Sequence, residues 1–176
     1  MKKTFYFIPV LLISNFVFGQ VGIGKQSVNG SSTILDFEDS SSNTNGIILP
    51  SVNNTNNALA STPSNNNGTF LFDKSDGKVK FYENSVWKDL SNAGSSTQIT
   101  ANTSSELSNS QGVIIGNSTS SAKGALVLES TNKAVILPKV SNPHINVKNP
   151  YPGTMCYDTN SKSLAVYDGS AWSYWK

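Results

Sequence analysis

A twenty-residue stretch of this chain occurs twice. Residues 68–87 read GTFLFDKSDGKVKFYENSVW, and residues 153–172 read GTMCYDTNSKSLAVYDGSAW, aligned without a gap at an offset of 85. Gly68 meets Gly153, Asp73 meets Asp158, Tyr82 meets Tyr167 and Trp87 meets Trp172. Upstream, Ile47-Ile48-Leu49-Pro50 meets Val135-Ile136-Leu137-Pro138 at an offset of 88. Leu35-Asp36-Phe37-Glu38 meets Leu126-Val127-Leu128-Glu129, and Val21-Gly22-Ile23-Gly24 meets Val113-Ile114-Ile115-Gly116. The offset drifts only through short deletions, as expected when these fall in surface loops. A chain so built folds as one small unit used twice. The first module covers residues 20–91, the second 111–176, and the polar run 92–110 reads as a linker or solvated bridge.

Each module carries strand chemistry. Phe70-Leu71-Phe72 and Met155-Cys156-Tyr157 are apolar at successive positions, so both faces of this strand are expected to be covered. The clusters at 73–77 and 158–162 are turns. The next strand alternates, with Val79 and Phe81, or Leu164 and Val166, on one face. Asp168-Gly169 is a hairpin signal leading to Trp172 and Tyr174. A three-stranded meander therefore ends each module. Two shorter strands are expected at 126–128 and 134–137, the second ended by Pro138. The proline-rich segment 140–152 has room for one helical turn, and a short helix is expected around Asn57 to Ala60. No amphipathic run is long enough for a stable helix. The fold class is all-β: two tandem copies of a small β-meander module, with intertwining in a fibre-like oligomer as the leading arrangement.

Residues 1–19 are expected to be a cleaved signal peptide. Lys2 and Lys3 precede an apolar run from Phe5 to Phe18, which is shorter than the about 20 residues a spanning helix needs. The Val17-Phe18-Gly19 ending suits cleavage before Gln20, and an uncleaved anchor is disfavoured by Pro9 and Asn15. Export follows, to the outer surface or beyond, with the periplasm as the other destination and no membrane span in the mature chain. Without Lys2 and Lys3, the 13 basic residues fall to 11, against 11 acidic ones. There is no Arg, and the lysines are not clustered. Nucleic-acid binding, which needs clustered cations, is excluded.

The inventory for catalysis is poor. His144 is the only histidine, in a proline-rich loop, and it is expected to be a loop residue rather than a metal ligand or general base. Cys156 is the only cysteine, so no intramolecular disulfide is available, and its apolar neighbours suggest a buried small hydrophobe. The Asp73–Gly77 run faintly resembles a calcium loop, but Glu83 is out of register for one, and a turn is expected. No cofactor, metal or catalytic residue is assigned. The candidate ligand or partner contacts are Tyr82, Trp87, Tyr167, Trp172 and Trp175. The paired rings are expected to close hairpins and cap the core, with Trp175, beyond the repeat, best placed for an exposed contact. A module of this size usually needs a staple, and neither disulfide nor metal supplies one. The modules must pack on each other or on other chains. The apolar strand faces favour the second, and a homo-oligomer, with a trimer leading, is expected.

The order VGIG, an LxF or LxL strand, GIILP or AVILP, then GTxxYD and YxGxxW resembles repeats of secreted, phage tail-fibre-like surface proteins of Bacteroidota-type bacteria. The resemblance spans nearly all of the chain after residue 19 and implies a structural repeat rather than an activity. No catalytic residue carries over. The function expected is an exported, non-enzymatic structural or adhesin-like cell-surface protein. The alternative is a small carbohydrate-binding protein that stacks sugars on its surface aromatics.

Overall fold

Turn chemistry cuts this chain into short strands. The computed structural model describes residues 19–58, 66–100, 112–122 and 124–176. The expected signal peptide up to residue 18 and the linker residues 101–110 lie outside the described residues. Module one contains β1 (Val21–Ile23), β2 (Thr33–Phe37), β3 (Ile47–Ile48), β4 (Ser51–Val52), β5 (Phe70–Asp73), β6 (Lys78–Glu83) and β7 (Val86–Asp89). Module two repeats the order with β8 (Val113–Ile115), β9 (Leu126–Leu128), β10 (Ala134–Val135), β11 (Lys139–Val140), β12 (Thr154–Asp158), β13 (Ser163–Tyr167) and β14 (Trp172–Trp175). One helical turn, α1 (Pro143–Asn146), falls in the proline-rich segment. Module one has instead a 3-10 turn at Thr55–Asn57, where the Asn54 side chain accepts from the Asn56 N–H at 3.0 Å. The capped turn reaches Asn57, the start of the expected short helix; the rest of that expectation, at residues 59 and 60, lies outside the described residues, which resume at 66. The fold is all-β.

The two halves fold alike. In each, a parallel strand, a central strand and two antiparallel strands form one sheet: β4-β5-β6-β7 and β11-β12-β13-β14. The front strands pair in parallel in both, β1 with β2 and β8 with β9. The turns also match where the sequences differ. Gly77 and its counterpart Lys162 both take a left-handed backbone, φ 70° and 55°, so one hairpin shape survives the substitution. The β6–β7 hairpin turns on Asn84 and Ser85, both at positive φ, the conformation that matches strand twist in a two-residue loop.

Period-two patterning located the strands but could not choose their partners. β9 and β10 are consecutive yet do not pair with each other: β9 joins β8, while β10 crosses to β2 of module one. In return, β3 of module one runs antiparallel along β12 of module two, with Ile48 opposite Thr154 and Ile47 opposite Met155. The Leu49 N–H donates to the Gly153 carbonyl at 3.0 Å beyond that pair.

The main core straddles this seam. Leu49, Phe72, Val79 and Leu90 from module one are buried with Met155 and Val166 from module two. The modules therefore pack on each other within one chain, the arrangement that the sequence ranked second to packing on other chains. Residues 92–100 also lie against both halves. The Gly94 N–H donates to the Gly77 carbonyl, the Ser95 N–H donates to the Asp168 carbonyl, and Ile99 packs on the core. Phe72 has no exposed surface, so Phe72→Ala should cost about 3–5 kcal/mol. Because the core is shared, urea unfolding followed by tryptophan fluorescence should show one transition shifted as a whole. Two separate transitions would contradict the shared core.

Candidate functional site

The aromatic pairs sit beside the hairpin turns because each Tyr precedes its Trp by the same spacing, which puts the two opposite each other. Tyr82 faces Trp87 across β6–β7, with ring centroids 5.1 Å apart and an interplanar angle of 60°. Tyr167 faces Trp172 across β13–β14 at 5.4 Å and 44°. Tyr82 is buried, Trp87, Tyr167 and Trp172 are half-buried, and Trp172 packs on a small cluster of Val140, Cys156 and Ala165. These contacts knit strands together, as cross-strand aromatic pairs do.

Trp175 differs. The residue is 48% exposed, while its indole N–H donates to the Leu90 carbonyl at 2.5 Å, tying the end of module two to module one. Beside it lies an open groove of about 610 Å³ lined by Lys78, Asp89, Leu90, Asn92 and Tyr174, among others. Lys78 and Asp89 form an ion pair of 2.6 Å in this groove. The structure does not gather the five aromatics into one site. Two pairs lie at separate hairpins, and Trp175 stands apart from both.

The carboxylates at the turns are occupied. Asp158 Oδ1 accepts from the Asn142 and Asn160 N–H groups, both at 3.0 Å, and Oδ2 accepts from the Ser161 N–H and hydroxyl at 3.2 and 2.6 Å. Burial acts to raise its pKa, but these hydrogen bonds outweigh burial and hold the carboxyl below its ordinary value. Asp73 repeats the motif with the Ser75 N–H and hydroxyl at 2.9 and 2.6 Å, supplemented by Lys80 at 3.2 Å. Its pKa is likewise lowered against the effect of burial. Asp168 accepts from the Ser170 and Ala171 N–H groups. Each is a turn clamp, and the calcium-like run at Asp73 is one of them. Among the described residues, no three His, Cys, Asp or Glu side chains converge on a cation position.

Two further groups have chemistry of their own. Burial, and then the charge of Asp158, pushes the Cys156 thiol up to about 12, so it remains a neutral packing group at ordinary pH. His144 lies exposed with Nδ1 2.9 Å from the Tyr174 hydroxyl. This bond, between the α1 turn and the last strand, went unforeseen because the two residues are thirty positions apart.

The profile of the family described as phage tail like trimerisation region matches residues 22–106 and 114–176. The chain belongs to that family. The second matched stretch lies within module two; the first begins in module one and runs on into the segment between the modules, to residue 106. No curated protein and no solved structure matches the chain. A phage tail like trimerisation region is a structural, self-associating element, so the family supports a homo-oligomer rather than a catalytic centre. What the candidate contacts missed in this light is the seam. The recurrence of the ILP segment at matching positions was its signal, but recurrence does not reveal which strand it pairs with. No helix among the described residues is long and apolar enough to cross a membrane.

Asp158→Ala should leave three part-buried N–H donors without their carboxylate and cost about 1–3 kcal/mol at pH 7, read by urea denaturation. The folded-state pKa is depressed. Its stabilisation is therefore full above the unfolded value of about 4 and is lost as pH falls through the lower folded value. The gap between wild type and variant should accordingly shrink on acidification to pH 2–3. A gap that is unchanged across this range would contradict the role assigned to the carboxylate.

Proposed function

We propose that the protein is an exported, non-enzymatic structural or adhesin-like component of the cell surface that works as a homotrimer. The observation that carries this reading is the tandem match to a phage tail like trimerisation region on a duplicated strand module. The polar groups give supporting evidence: the buried carboxylates are spent on turns, and the aromatic pairs on cross-strand cohesion. Export rests on Lys2, Lys3 and the apolar run that follows them. Expressed with its first stretch in a Gram-negative host, the protein should be recovered outside the cytoplasm with a new N-terminus at Gln20, read by mass spectrometry. Light scattering on the mature chain should give three times the single-chain mass. A monomer at micromolar concentration would remove the trimer from this reading.

A second reading, glycan binding, is favoured by one observation. Trp175 is an exposed aromatic beside an open groove carrying Lys78, Asp89 and Asn92, a stacking group next to hydrogen-bonding ones. On a glycan array, Trp175→Ala should abolish binding while leaving the circular dichroism spectrum intact. Silence of the wild type across glycans leaves the structural reading alone.

A further inference from the structure

Each module presents the same edges, but only half of them are covered within the chain. The ILP segment of module one, β3, lies along the first residues of the GTxxYD strand of module two, β12. The ILP segment of module two, β10, lies along the LxF strand of module one, β2, with Val135 opposite Leu35. Repetition supplies the counterparts of both contacts, and among the described residues both counterparts lack a paired strand. The edge of β5 at Thr69–Phe70, equivalent to the Thr154–Met155 edge of β12, carries no strand like β3. Nor does β9, equivalent to β2, carry a strand beyond β8.

Exposure records the difference at matched positions. Leu35 is 1% exposed and its equivalent Leu126 is 48% exposed. Gly153 is buried, with Leu49 and Phe72 around its α-carbon, whereas Gly68, at the same φ of 86°, faces open space. Met155 is buried, and its equivalent Phe70 is only half-buried. Val135 and Ile48, on the ILP segments themselves, remain exposed. An uncovered strand edge with apolar side chains is a template for another strand.

We propose that the seam inside the chain is repeated between copies, so that the β9–β10 end of one chain receives the β3–β5 end of the next. The occupant is a second copy of this chain, because among the described residues the ILP segments are the strands that pair with the equivalent edges. Each ILP segment is then held on both edges, by the LxF strand of the module before it and the GTxxYD strand of the module after it. In the register of the internal seam, Thr69 of one copy faces Ile136 of another, as Thr154 faces Ile48. Leu126 likewise faces Ile47 of the next copy, as Leu35 faces Val135. The contact is heterologous, joining unlike surfaces; such a contact forms a ring where its rotation closes, as a trimer requires, and an open filament where it does not. This rests on the oligomeric reading above and adds the surfaces and the register to it.

The test uses the mature chain in a Cys156→Ala background. Thr69→Cys combined with Ile136→Cys should form disulfides between copies under mild oxidation, seen as multimer bands on a non-reducing gel, while either substitution alone should give none. Leu126→Glu, on a residue that is exposed in the single chain, should lower the mass in light scattering with the circular dichroism spectrum unchanged. An oligomer that keeps its mass in Leu126→Glu and shows no Thr69–Ile136 cross-link overturns the register and leaves the oligomeric reading standing. A wild type that is monomeric overturns both.

Discussion

The structure depends on two residues of module one, Ile47 and Ile48, lying along the edge of β12 in module two. Two-residue strands have no stability of their own. They persist here because the Leu49 N–H reaches the Gly153 carbonyl just beyond the pair and because Leu49 itself enters the core. That exchange converts two undersized hydrophobic faces into one core, with Phe72 and Val79 on one side and Met155 and Val166 on the other. A module of this size buries only a modest share of its unfolded surface, and the shared core adds apolar burial that each half by itself would lack. Burial across the seam substitutes for the disulfide that a single cysteine cannot form.

Around this core the two copies have diverged where electrostatics is concerned. In module one, Asp36 is fully buried and bonded to Lys25 at 2.8 Å and to the Asn29 N–H at 2.8 Å. Burial acts to raise the pKa of Asp36, but Lys25 and the backbone donors keep it lowered. In module two the matching residue is Val127, and the charge is gone. Replacing a buried ion pair by an apolar side chain is tolerated when the pair offers little net stability, which is the usual balance for such pairs. The turn carboxylates show a milder version. Asp73 leans on Lys80, and Asp158 uses the Asn142 N–H in its place.

A structural role is consistent with where the polar chemistry is spent. The Cys156 thiol is held neutral by burial, and the buried aspartates are clamped by backbone N–H groups. The surfaces left over are strand edges and apolar side chains such as Leu126 and Val135, and these suit association better than turnover. Membership of a phage tail like trimerisation family likewise supports self-association.

Repetition, read residue by residue, determined the module count, the three closing strands of each module, their hairpins and the facing Tyr–Trp pairs, because turn type and loop length fix local register. The turn at Gly77 was legible even where Lys162 replaces it, since the surrounding strands demand the same backbone. Tertiary structure alone decided which strands meet between the modules. β10 crosses to β2, β3 crosses to β12, and residues 92–100 lie against both halves. Strand alternation encodes which face of a residue is buried, but the hydrogen-bonding edge is the same backbone at every position. A partner chosen through that edge therefore depends on how whole modules fit together.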